Sequence, residues 1–193
     1  MRHEILSRRG RNRVNAPITD KATTVAFSFN GKQITASGGE TILQAAKRNG
    51  YEIPHLCYSD NLRADGNCRA CMVEIDGERA LAPSCCRQPN NDMTVRGDSG
   101  RARKAQSLVL ELLRGEVGNS RFSNRSELDY WCDQLEVTES RFGSRQQPVG
   151  DASHPAISVN LSACIQCTRC VRACREEQAN DVIGFAHRGS HSE

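Results

Sequence analysis

Apolar and polar positions alternate across residues 24–29, which places Val25, Phe27 and Phe29 on one face of a strand. Asn30-Gly31 follows, the strongest short hairpin signal, and Ile34 and Ala36 carry the returning strand. The period then changes, and Ile42, Ala45 and Ala46 fall on one face of a helix. Thr41 and Gln44 fit a capping box at its start. Lys47 and Arg48 suit its C-terminal end, and Gly50 suits the left-handed stop. A second hairpin is predicted over 72–82, with Val73 and Ile75 leading into an Asp76-Gly77 turn, and Met93-Thr94-Val95 reads as a closing strand. Residues 23–97 thus predict a small α+β sheet with one helix. An amphipathic helix is expected over 101–114, with Ala105, Leu108, Val109, Leu112 and Leu113 on its apolar side. Residues 115–153 are mixed and polar, with a short helix expected around 126–136.

Composition changes this picture in one respect. Hydrophobic residues make up 37% of the 193 and aromatics 5%, which is thin for one well-filled core. Small modules held partly by something other than apolar burial are expected. Ten cysteines supply the candidate. No apolar run approaches the roughly 18 residues of a membrane span, and no apolar signal core lies near the start. Membrane insertion is not expected, and the chain reads as cytoplasmic. In that compartment cysteines are more often ligands than disulfides. The net charge of +3 belongs to residues 1–20, where Arg2, Arg8, Arg9, Arg11 and Arg13 face only Glu4 and Asp20. Residues 1–22 read as a disordered basic leader. Neither a basic helix nor interleaved aromatics follow it, so no nucleic-acid partner is expected.

Two cysteine constellations carry the chemistry. Cys57, Cys68, Cys71 and Cys85 are spaced C-x10-C-x2-C-x13-C. Gly66 and Ala70 are small enough to let backbone N–H groups approach bridging sulfides. The fourth cysteine lies beyond a hairpin that folds it back, and four soft thiolates suit a [2Fe–2S] cluster. A zinc ribbon needs two separated C-x2-C pairs, whereas the second pair here would be the adjacent Cys85-Cys86. Cys86 competes with Cys85 for the fourth place. Cys85 is the choice, which leaves Cys86 as a small buried filler. Cys132, beside Trp131, is expected in a core.

Cys164, Cys167, Cys170 and Cys174 read C-x2-C-x2-C-x3-C, the bacterial-ferredoxin run of a [4Fe–4S] centre. In two-cluster ferredoxins the fourth cysteine serves the other cluster. No second run follows, and Arg175 stands where a proline is usual, so this centre is expected to be incomplete within the chain.

The run His55-Leu56-Cys57, then Gly66 through Glu74, resembles the plant-type-ferredoxin-like (β-grasp) domain that opens the catalytic subunit of soluble NAD-dependent formate dehydrogenases. Related domains open the large iron–sulfur subunit of respiratory complex I and the diaphorase part of bidirectional hydrogenases. Residues 153–184 resemble the same family. The resemblance implies four parts: the leader, a [2Fe–2S] domain over 23–98, a helical connector over 99–153, and a partial [4Fe–4S] segment with a tail over 154–193. It further implies an electron-transfer module, without a substrate-binding centre of its own, between a metal-pterin domain and a flavin/NAD-binding iron–sulfur subunit. In that family the chain continues into a second cysteine run and a metal-pterin domain. The chain is accordingly expected to be an N-terminal fragment, a truncated product or a separately encoded small subunit. Complex I and hydrogenase relatives carry a His-plus-three-Cys segment between the two sites. Residues 99–150 hold no His and only Cys132, which favours the formate dehydrogenase branch. An assembly module with structural clusters and a redox sensor are the competing readings.

Overall fold

A computed structural model describes residues 24–117, 126–146 and 148–192. The expected basic leader lies outside the described residues. Strand β1 (Val25–Phe29) turns through Asn30 and Gly31, both at positive φ, into β2 (Lys32–Ala36). Two successive left-handed residues are what a tight hairpin turn of this hand demands. Register Phe27↔Ile34 and Val25↔Ala36 puts the apolar faces together, and Phe27 and Phe29 are fully buried. Helix α1 (Ile42–Arg48) starts at the predicted capping box: the Thr41 side chain accepts from the Gln44 N–H, and the Gln44 side chain accepts from the Thr41 N–H. It buries Ile42, Leu43, Ala45 and Ala46.

Strands β3 (Met72–Ile75), β4 (Ala82–Pro83) and β5 (Thr94–Arg96) complete a five-stranded sheet of order β2-β1-β5-β3-β4. The β1–β5 pair is parallel and the others are antiparallel. With one helix against it, this is a mixed α/β, ferredoxin-like arrangement. Its core holds Phe27, Ile42, Val73 and Val95 together with Cys71 and Cys85.

Helix α2 (Gly100–Val117) forms where expected, and of its expected apolar side Val109 and Leu113 pack against a core while the rest is turned partly away. Its buried positions are Ala102, Gln106, Leu110, Glu111 and Gly115, whereas Leu108 and Leu112 are exposed. The apolar count along the helix marks a side that the packing rotates partly away from. Gln106 sits at the sheet because its amide donates to the carbonyls of Met72 (2.8 Å) and Gly97 (3.1 Å). Buried carbonyls left unbonded would cost more than an exposed leucine. Helix α3 (Glu127–Gln134) is capped by Ser126 with Asp129 and buries Leu128, Trp131 and Cys132. A second core joins these residues to Leu110, to Leu56 and Ala70 of the first cysteine loop, and, at its margin, to Cys68 and Ile165. Strands β6 (Asp151–His154) and β7 (Ile157–Val159) make an exposed hairpin across the expected 153/154 boundary. The short helix α4 (Arg169–Arg172) runs into a π-helical turn over Ala173–Glu177. Among the described residues, no helix is long and apolar enough to cross a membrane.

Candidate metal centres

The first site is built from three pieces of chain. Cys57 ends the segment after α1, Cys68 and Cys71 lie in the loop before β3, and Cys85 follows β4. The Cys71 and Cys85 pieces are tied by backbone bonds. The Ser84 N–H and hydroxyl both donate to the Cys71 carbonyl, at 3.0 and 2.8 Å. The first amides of α1 point at the Cys85 loop: the Ile42 N–H donates to Arg87 O (2.8 Å) and the Leu43 N–H to Ser84 O (3.0 Å). N–H groups left free by the helix start thereby hold the fourth cysteine in place.

The structure brings the four cysteines together. Their thiols form a row, Cys68 to Cys57, Cys57 to Cys85, and Cys85 to Cys71. Cys57, Cys71 and Cys85 are buried, and Cys68 is half-buried. Backbone amides converge on the sulfurs: the Cys57 N–H donates to Cys68 Sγ and the Cys68 N–H to Cys57 Sγ, both at 3.4 Å. Gly66 (φ 63°) and Arg69 (φ 60°) are left-handed, which curls the loop around its own sulfurs. Hydrogen bonds from Cys68 and Cys85 pull the Cys57 thiol far below its ordinary range, to about 2. A bond from Cys85 lowers Cys71 to about 7. The donating thiols, Cys68 and Cys85, are raised by the same contacts and by burial. Four soft thiols gathered in one pocket, two of them held toward the thiolate, fit iron bound by sulfur. The donor set and the N–H···S bonds fit a [2Fe–2S] centre.

Cys86 is not the buried filler expected. It is exposed, its Sγ lies 3.5 Å from Cys85 Sγ, and a Cβ added at Gly66 would sit 3.0 Å from it. The turn that carries Cys85 inward carries its neighbour outward, over Gly66 at the rim. Cys132 is fully buried against Trp131, with its thiol pushed up by burial.

The second run is shallower. Cys164 and Cys167 are half-buried and Cys170 is exposed, and the first and last of these lie close enough to raise the Cys167 thiol, behind the larger effect of its burial. The Gln166 N–H donates to Cys164 Sγ (3.4 Å). Gln166 and Thr168 are both left-handed, so the run coils tightly without a glycine. Cys174 is buried and accepts from the Val182 N–H at 3.4 Å. Three neighbouring thiols fit part of a [4Fe–4S] centre.

Sequence reasoning missed the residues between the two sites. Asn67 donates to Gln166 O (2.8 Å), Arg169 to Tyr58 O (2.9 Å), and Arg172 to the carbonyls of Cys57 and Arg63 (the latter 2.6 Å). Arg169 also pairs with Glu127, and Trp131 donates to His55 O (3.1 Å). No local signal marks partners a hundred residues apart; only the placing of arginines between cysteines hints at a role.

This geometry defines an iron–sulfur electron-transfer module with two ferredoxin-like parts. Residues 22–100 match the family model described as a 2Fe-2S iron-sulfur cluster binding domain. Residues 154–193 match that of the NADH-quinone oxidoreductase subunit 3 ferredoxin-like domain. Its cofactors are iron–sulfur clusters. The chain is similar to the mitochondrial NADH-ubiquinone oxidoreductase 78 kDa subunit of Candida albicans, 32% identical over 86% of this chain and 24% of the relative. It is also similar to the NADP-reducing hydrogenase subunit HndD of Solidesulfovibrio fructosivorans, 34% identical over 86% of this chain and 30% of the relative. The chain thus spans about a quarter to a third of the curated relatives' length. A solved NAD+-reducing [NiFe]-hydrogenase chain superposes with a TM-score of 0.76 at 28% identity, covering 87% of this chain and 73% of that one. The chain resembles the N-terminal iron–sulfur region of such subunits.

Proposed function

We propose that this chain relays electrons as the iron–sulfur module of an NAD-linked oxidoreductase complex. Cys57, Cys68, Cys71 and Cys85 hold the irons of the [2Fe–2S] centre. Cys164, Cys167 and Cys170 hold a [4Fe–4S] centre whose remaining ligand comes from outside these residues, and Cys174 serves a neighbouring centre. The observation that carries the reading is the continuous row of four thiols, with backbone N–H groups aimed at its sulfurs. Such centres accept and return one electron at a time without making or breaking substrate bonds. The residues do the rest. The thiolates fix the irons, the amides of Cys57 and Cys68 donate to sulfur, and Leu56 and Ala70 keep water off that side.

The partners proposed are a flavin/NAD-binding subunit on one side and the catalytic part of the same complex on the other. The relatives named above favour a quinone-reductase or hydrogenase setting. A formate dehydrogenase setting, with a metal-pterin domain, is supported by one observation: residues 99–150 lack any His and hold only Cys132.

Anaerobic reconstitution of the full chain tests the core of the proposal. Roughly two irons and two sulfides per chain are expected from the first site, with a reducible signal of plant-type character. A colourless product, or one holding zinc alone at those cysteines, overturns it. Purifying the intact complex and supplying NADH, hydrogen or formate in turn identifies the setting by which donor reduces the centre.

A further inference from the structure

Arg172 lies in the middle of the second cysteine run, two residues from Cys170 and from Cys174, yet its guanidinium serves the first site. The residue is 6% exposed. Nη2 donates to the carbonyl of Cys57, Nη1 to Arg63 O at 2.6 Å, and Nε to Thr168 Oγ1 at 3.0 Å. All three acceptors are neutral. Among the described residues no carboxylate pairs with Arg172, whereas its neighbours Arg169 and Arg175 each have one. A buried guanidinium answered only by neutral oxygens is costly unless negative charge lies close by. The Asp65 carboxylate reaches the guanidinium only through the Thr168 hydroxyl; the other source of negative charge is the first cysteine centre, since the guanidinium bonds the backbone of one of its four ligands directly. A centre held by four thiolates is negative and becomes more so on reduction.

The contact is part of a wider lacing. Asn67, next to Cys68, bonds Gln166, next to Cys167. Tyr58, next to Cys57, accepts from Arg169, next to Cys170. Asp65 accepts from Thr168 at 3.3 Å. Each bond joins a residue flanking a first-site cysteine, or lying a few residues from one, to the second run. The planar fork of arginine can serve three acceptors at once, whereas a lysine in the same place is a single point charge.

We propose that Arg172 is a positioning residue of the relay: it clasps the second cysteine run to the Cys57–Arg63 loop and supplies the buried counter-charge that favours the reduced state of the first centre. The inference rests on the reading that the first site carries a [2Fe–2S] centre. A cation beside that centre stabilises the added electron, so it holds the reduction potential up. The clasp also fixes the bonded route between the two cysteine sets, in which a single hydrogen bond joins Cys57 to Arg172.

The test uses the full chain with Arg172→Gln and Arg172→Lys. Wild type is first assayed for iron, sulfide and a reducible signal; failure there overturns the proposed function. The clasp is then still read in the cluster-free chain, by hydrogen exchange at the amides of Leu62 and Arg172. In the loaded Arg172→Gln protein, the reduced-to-oxidised ratio at a fixed solution potential is expected to fall about tenfold, which is about 59 mV for one electron. In the Lys variant the charge stays and the fork is lost. Its ratio is expected within about threefold of wild type, with Leu62 exchange at least about tenfold faster. Should Arg172→Gln fail to fold, the Lys variant decides the clasp. Wild-type exchange in the Lys variant overturns the clasp, and a wild-type potential in a loaded Gln variant overturns the counter-charge.

Discussion

The two cysteine sites are built on opposite plans. The first collects its sulfurs from three segments spread over 57–85, buries three of the four, and ties the Cys85 segment to helix α1. The second places its cysteines within eleven residues, leaves Cys170 exposed, and rests on one short helix and a π-helical turn. The first is a product of tertiary structure, and the second is a local coil. Burial and amide donors therefore shape the first centre from within the chain, while the second has an open side for whatever completes it. The second core lies between them, with Cys68 at one margin and Ile165 at the other.

Breaking one site at a time sharpens this contrast. Cys71→Ser is expected to abolish the first centre, seen as loss of its reducible signal and of about two irons per chain. Cys170→Ser is expected to leave that signal intact, because Cys170 is exposed and contributes nothing to the first row. Leu110→Ala strikes the shared platform. Leu110 is fully buried, so a loss of about 2–5 kcal/mol in denaturant unfolding is expected, whereas exposed Leu112→Ala should stay within about 0.5 kcal/mol. Gly66→Ala tests the rim. The position is left-handed and a Cβ would meet Cys86 Sγ at 3.0 Å, so a cost of about 1–2 kcal/mol is expected in thermal unfolding, together with slower loading of the first site.

The smallest effect belongs to the connector. Glu111 accepts two bonds from the Arg141 side chain (2.7 and 2.9 Å) and one from its N–H (2.7 Å). The guanidinium holds the Glu111 carboxyl below its ordinary 4.5. A lowered folded value means that the contribution is present above the ordinary range and lost as pH falls through the folded value. The gap in unfolding midpoint between wild type and Glu111→Gln is thus expected at neutral pH and should close in acid. A gap that persists unchanged in acid would contradict the ion-pair account.

The sheet, the Asn30-Gly31 turn, the Thr41 capping box and α3 were legible because each rests on a local rule: alternation, a paired left-handed turn, a cap three residues from its partner. The cysteine sets stood out because the short C-x2-C step, which lets two thiols reach one centre, occurs in both. What local rules do not encode is which side of α2 faces inward. Gln106 decides that by answering two carbonyls elsewhere in the chain, and no count of leucines foresees it. The outward turn of Cys86 has the same origin, since Pro83 and Ser84 set the path of the loop. In the exposed β6–β7 hairpin only β7 alternates, over the three residues Ile157-Ser158-Val159, while β6 shows no apolar pattern. The arginines of the second run escaped notice because their partners lie in another module.

The first two amides of α1 have a consequence for assembly. By committing them to Arg87 and Ser84, the chain makes delivery of its fourth sulfur conditional on a docked helix. A polypeptide that has not yet seated that helix offers iron three thiols and a loose end, so a filled centre is expected to report that the helix is already in its place.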